Sequence, residues 1–325
     1  MNEDLDKKDD IKDTPSVDHF SISEIKPAIS PIAAVFIGLI GGLFLYQIVG
    51  GMITILIFGM KIENAPLNGV RLMTMAGQVL FILLPALLFT KWFYVDITRV
   101  LRVRIPELAE LALFTLGIIV LTPLLEYYMV IQTWCINQLA LHYHWINEVK
   151  SLLDKLNDFV ENTYGNLLKP NTLFEGGLII LVVAVVPALC EETMFRGFIQ
   201  RSFEFKIKPF WAALVTAVFF GLYHFNPYDL IPLIALGLFF GFAAYTSNSI
   251  VTPVFLHFLN NFAAVMMYFV VGDKKMLDNT PDPNVDLKSA FVILFILLIL
   301  FVGVLYLIRR FYSQNKRRKD YAGMP

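Results

Sequence analysis

Eight apolar stretches divide this chain, and most are long enough to cross a bilayer's hydrocarbon core, which takes about 20 residues of helix. They run over Pro31–Phe58, Val70–Phe93, Leu108–Cys135, Leu173–Phe203, Pro209–His224, Leu230–Tyr245, Val251–Val271 and Ser289–Leu307. The runs are too long and too continuous for barrel strands, which alternate over about ten residues. The residues are 57% hydrophobic and only 16% charged, which no soluble domain of ordinary make-up matches. The expected fold class is therefore all-α, a polytopic transmembrane helix bundle of about eight spans. Its surroundings are membrane lipid. A net charge of −1 leaves no basic field for nucleic acid.

Basic residues set the expected orientation. Lys91, Arg99, Arg102 and Arg104 lie at and beyond the end of the second span, Arg201, Lys206 and Lys208 at and beyond the end of the fourth, and Arg309, Arg310, Lys316, Arg317, Arg318 and Lys319 follow the eighth. With eight spans these regions share one side, which places both termini in the cytoplasm and the chain in the plasma (inner) membrane. The fourth span is expected to leave the membrane as an amphipathic extension carrying Arg201, Glu204 and Lys206. Residues 1–28 read as a polar tail without fixed structure, and no cleavable signal peptide is expected ahead of the first span. Residues 29–136 hold the first three spans and 137–172 an outer loop. There Leu152, Leu153, Leu156, Phe159 and Val160 recur at helical spacing among charged residues, the pattern of an amphipathic interfacial helix. Residues 173–275 hold four helices with polar clusters, 276–308 the last span and 309–325 a basic tail.

Ionisable groups inside apolar spans are costly, roughly 2.5–3.5 kcal/mol each even on the mildest insertion scale, and they mark function. Glu191, Glu192 and Arg196 sit in the fourth span. Glu192 and Arg196, four apart, share a helix face and can form a buried ion pair. Glu191 is turned about 100° from Glu192 and has no partner close in sequence. A carboxylate so placed is a candidate general base. An ion pair that merely stabilises the fold explains Glu192 and Arg196 and leaves Glu191 over. His224 ends the fifth span; a single histidine in an apolar helix is more often packing than ligand. His257 and Asn261, four apart in the seventh, can hold an oxyanion or a water, or simply bond between helices. At 1.5 Å per residue, Glu191 lies about 18 Å from Phe203, His224 about 22 Å from Pro209 and His257 about 9 Å from Val251, compatible with one buried site.

Other groups carry less. Cys190 adjoins Glu191, which raises a catalytic thiol, but a small buried apolar side chain suits its surroundings better. Glu126 is expected to be buried, either capping a cavity or pairing with Arg71. Pro123 and Pro187 are expected to kink their helices, and Tyr223 and Phe195 are candidates for lining a cavity.

Taken in order, Glu191-Glu192-xxx-Arg196, Phe220-xxx-His224 and His257-xxx-Asn261 resemble the CPBP family, the type II CAAX prenyl endopeptidases or Abi proteins. The resemblance covers about residues 175–275. It implies an intramembrane endopeptidase in which Glu191 activates the attacking water, His224 helps hold it, His257 and Asn261 stabilise the oxyanion, and Glu192 and Arg196 orient the site. The family is often named a metalloprotease, and a metal-free mechanism is also argued for it. If a divalent metal such as Zn is used, Glu191, His224 and His257 are the candidate ligands, although the chain lacks the H-E-x-x-H helix of common zinc proteases. The implied partner is a peptide or protein substrate, prenylated in the family's eukaryotic members. Two other classes compete: an ion-coupled transporter, against which no inverted repeat is seen, and an idle scaffold or immunity factor.

Overall fold

The computed structural model describes residues 27–60, 65–94, 96–271 and 286–322, with side chains of 159–166 and 316–322 left aside. The tail up to residue 26, the segment 272–285, and the side chains of Phe159 and Val160 therefore lie outside the described residues. Within them the chain is helical, without strands. Seven helices are long and apolar enough to cross a membrane: α1 (Pro31–Phe58), α2 (Leu67–Tyr94), α4 (Leu108–His142), α6 (Leu173–Glu204), α8 (Leu230–Ser247), α9 (Val251–Val271) and Leu287–Asn315 in α10 (Leu287–Ala322). The fifth expected span is α7 (Pro209–Leu222), a shorter apolar helix. Two further helices lie between spans: a single turn, α3 (Ile97–Val100), and α5 (His144–Leu168). This is a multi-pass membrane protein.

Three departures from expectation have simple causes. First, α7 stops at Leu222, so His224 sits on the turn after the helix; Phe225 has φ 52°, left-handed and costly for a side-chain-bearing residue, by about 1–3 kcal/mol. Second, the end of α6 is not an exposed amphipathic extension. Arg201 and Glu204 are both buried and paired, and Arg102 from the α3–α4 segment binds the same Glu204 carboxylate. Third, the outer segment is helical over more of its length than the expected interfacial helix alone: α4 continues to His142 and α5 follows after Tyr143.

Small residues let α7 and α8 approach closely, as in membrane helix pairs generally. A Cβ added to Gly241 would meet the Ala213 side chain and Gln200 Oε1 at 2.8 Å, and one added to Gly237 would meet Phe220 at 3.1 Å. One core joins α1, α2, α6 and α7 through Val35, Phe198 and Phe220; another joins α4, α8, α9 and α10 through Phe114, Phe239 and Ile308. At one end of the bundle the basic segments meet. Arg104 chelates Glu110 at 2.7–2.8 Å, Tyr312 of α10 donates to the same carboxylate at 2.7 Å, and Arg104 also donates to the Ser247 carbonyl at 2.6 Å. The three basic regions therefore do share one end, as the eight-span reading requires. Near the opposite end, buried Arg71 donates to the Leu167 and Lys169 carbonyls at 3.0 and 2.7 Å and lies 3.6 Å from Glu175. It thereby serves the end of α5, where carbonyls lack helical partners.

Candidate active site

Proline chemistry prepares the site. Pro187 has no N–H, so the Val183 carbonyl one turn earlier loses its helical donor. A π-helical stretch, Leu181–Val185, occupies this point in α6, and the amide of Asn261 donates to the Val183 carbonyl at 3.0 Å. This bond fixes Asn261 against α6 and leaves the second N–H of its amide unspent. Next along the helix, Glu191 and Glu192 point to different surroundings.

Glu192 is fully buried. Its Oε1 accepts from Arg196 Nη1 and from His257 Nδ1, both at 2.8 Å. Arg196 reaches on to the Gly237 carbonyl at 3.1 Å, and its guanidinium lies 4.3 Å from the centre of the Phe220 ring, a cation–π contact in a dry setting. His257 stacks on Phe240 at 5.4 Å. Since a carboxylate only accepts, His257 Nδ1 carries a proton, and Nε2 is the nitrogen left for other work. Glu192 Oε2 and Arg196 Nε remain buried without partners. The expected ion pair is present, and it acts on His257, which sequence spacing did not link to it.

Glu191, by contrast, is only partly buried and makes no hydrogen bond among the described residues; it lines a cavity of about 450 Å³. His224, His257 and Asn261 line the same cavity. His224 Nδ1 lies 2.8 Å from the Phe220 carbonyl, which can only accept, so its Nε2 is again the open nitrogen. The four residues thus converge, while Glu192 and Arg196 stand behind them and do not line the cavity. Among the described residues no three His, Cys, Asp or Glu side chains gather to hold one ion. Glu191, His224 and His257 share the cavity wall without being gathered into such a cluster.

Several other residues find different places. Cys190 is buried and off the cavity wall. Tyr223 lines a separate apolar groove of about 520 Å³, and Phe195 packs in the core edge-on to Phe220. Glu126 is exposed and makes no pair with Arg71, whose guanidinium is taken by α5 and Glu175. The helix turns Glu126 outward from the packed face that Leu121 and Leu125 occupy.

Sequence reasoning missed part of the wall. Asn226 and Asp229, on the turn between α7 and α8, face the cavity beside His224. Asn226 donates to Asp229 at 2.5 Å, and Gln132 of α4 anchors the turn by donating to the Tyr228 carbonyl at 2.9 Å. Burial pushes the Asp229 carboxyl above its usual range, against an opposing pull from His224. Helices outside the resemblance also contribute: Tyr46 of α1, Thr74 and Gln78 of α2, and Leu167 of α5. A glutamine inside an apolar span was the visible signal for α2; the turn residues gave none beyond the turn-forming Asn226-Pro227.

Comparison with known proteins finds similarity over part of the chain. A family model described as "Type II CAAX prenyl endopeptidase Rce1-like" matches residues 174–263. A Bacillus subtilis (strain 168) protein described as "Putative membrane peptidase YdiL" is 32% identical over 90 residues, 28% of this chain. The match spans 37% of that relative's own length. No solved structure matches the chain. Residues 174–263 of this multi-pass membrane protein, with their Glu-Glu-xxx-Arg, Phe-xxx-His and His-xxx-Asn motifs, are thus similar to the Rce1-like type II CAAX prenyl endopeptidases.

Proposed function

We propose that the chain is an intramembrane endopeptidase whose water is activated by Glu191. The observation that carries this reading is the convergence of a partnerless carboxylate, two imidazoles and an amide on one cavity inside a helical membrane protein. Water held between Glu191 and His224 Nε2 attacks the carbonyl carbon of the substrate peptide while Glu191 takes its proton. The oxygen of the tetrahedral intermediate receives hydrogen bonds from the spare N–H of Asn261 and from His257 Nε2. When the carbon–nitrogen bond breaks, Glu191 returns the proton to the leaving amine. To donate from Nε2, His257 must carry both ring protons, and the Glu192 carboxylate at Nδ1 is its counter-charge. Two carboxylates, one guanidinium and one imidazolium then sum to zero, so the arrangement leaves no net charge to be compensated. Glu192 and Arg196 are positioning residues in this scheme.

The substrate is a peptide or protein segment reaching the site from within the bilayer, with CAAX-type and small-peptide processing both in keeping with the family. The basic end of the bundle faces the cytoplasm, with both termini there, in the plasma membrane. Purified wild-type protein in nanodiscs should cleave members of a quenched-fluorescent peptide library, and Glu191→Gln should lose at least a hundredfold in kcat, the usual scale for removing a general base. Equal rates would remove Glu191 from the chemistry. Excess chelator should leave the rate unchanged. A loss that zinc restores would instead make Glu191, His224 and His257 metal ligands and require them to close on the ion.

A further inference from the structure

We infer that Gln78, with Thr74 one turn before it, forms a polar subsite on the α2 wall of the cavity that holds a main-chain amide of the substrate polypeptide. The inference rests on the peptidase reading and extends it to a helix that lies outside the family match. Gln78 lines the cavity and is only 7% exposed, yet its Oε1 has no hydrogen-bond partner among the described residues. A buried amide oxygen without a donor calls for an explanation, since nearly all such groups are paired. Thr74 shares the cavity wall and, four residues earlier, the same helix face. Its hydroxyl proton goes to the Val70 carbonyl at 3.0 Å, so its oxygen can still accept.

The local backbone fits such a role. A π-helical turn, Val79–Leu83, begins directly after Gln78 and packs against the α6 stretch that carries Glu191. Single π turns within helices are frequent at functional sites. The terminal amide turns about a broad torsion, so either its oxygen or its nitrogen can be presented. One amide offers an acceptor and donors together, the complement of a peptide N–H and C=O, whereas a lipid chain would leave Oε1 unpaired. A subsite that grips main chain rather than side chain holds an unwound segment without selecting its sequence.

The test uses the full chain in nanodiscs and the best-cleaved member of a quenched-fluorescent peptide library, alongside versions N-methylated at one backbone amide at a time. Gln78→Leu should raise KM about tenfold with kcat unchanged, the scale of one hydrogen bond. One N-methylated position should cost wild type the same factor and cost Gln78→Leu nothing more. An unchanged KM, or an equal further loss on N-methylation in both proteins, would overturn the inference. If Gln78→Leu does not assemble, Gln78→Asn carries the same comparison, with a smaller response to N-methylation expected and an undiminished one counting against the subsite. A wild type that cleaves nothing sinks the peptidase reading and this inference with it; a wild type that cleaves beside an unaffected Gln78→Leu sinks the subsite alone.

Discussion

At the scale of single residues, the site separates two adjacent glutamates by what surrounds them. Glu192 is bound on one oxygen by both Arg196 and His257, while Glu191 faces open space. Removing one member of a buried ion pair strands the other, at a cost of about 3–5 kcal/mol, whereas replacing both by uncharged groups of similar volume is often neutral. Arg196→Met should therefore lower thermal stability sharply. Glu192→Gln combined with Arg196→Met should recover most of it in a thermal-shift assay. The double variant should still turn over slowly, because His257 has lost the carboxylate that holds its ring. Recovery of stability and turnover together would show that Glu192 does not serve His257. The i,i+4 spacing made the Glu192–Arg196 pair legible from the sequence. The third member was not, because it comes from a helix 65 residues away, and only packing brings His257 to it.

At the scale of the element, α6 is built around an interruption. Pro187 withholds a donor from the Val183 carbonyl, and Asn261 of α9 supplies one at 3.0 Å. Losing that donor should cost about 1–3 kcal/mol, the usual penalty for an unsatisfied buried group. Asn261→Ala should thus destabilise the protein, and much less so in a Pro187→Ala background, where the helix can regain its own hydrogen bond. A double-mutant cycle read by chemical unfolding checks this, and additive effects would break the proposed link between the two residues. The apolar runs revealed most of the helices, because a span must satisfy its backbone internally and the lipid imposes its length. They misplaced the end of α7 by two residues, since Tyr223 and His224 continue the apolar-aromatic pattern past Leu222 while the backbone turns at Phe225. Glu126 was misread for a related reason: an acidic residue in a span suggested burial, but the α4 face it occupies is not packed.

At the scale of the molecule, helices from outside the family segment close the cavity. The end of α5 reaches it through Leu167, and Asp154 of the same helix accepts a hydrogen bond from Tyr228 at 2.5 Å, tying α5 to the turn that carries His224. Burial pushes the Asp154 carboxyl up, but hydrogen bonds from Lys150 and Tyr228 prevail and hold it below the usual range. A carboxylate lowered on folding adds stability above its unfolded pKa, and this is lost as pH falls through the folded value. Hydrogen exchange in residues 223–229, corrected for intrinsic rates, should therefore rise as pH drops below about 3.9, the ordinary aspartate value. Asp154→Asn should remove that dependence. None of this was visible in the sequence, where α5 read as a separate interfacial helix and the first three spans carried no motif. The central claim is that the four cavity residues hydrolyse peptide bonds in the membrane. Its most direct test is quantitative mass spectrometry of protein termini in membranes from cells making wild type or Glu191→Gln at equal levels. New termini present only with wild type, near predicted membrane spans of their source proteins, are the expected result; identical termini in both would contradict it.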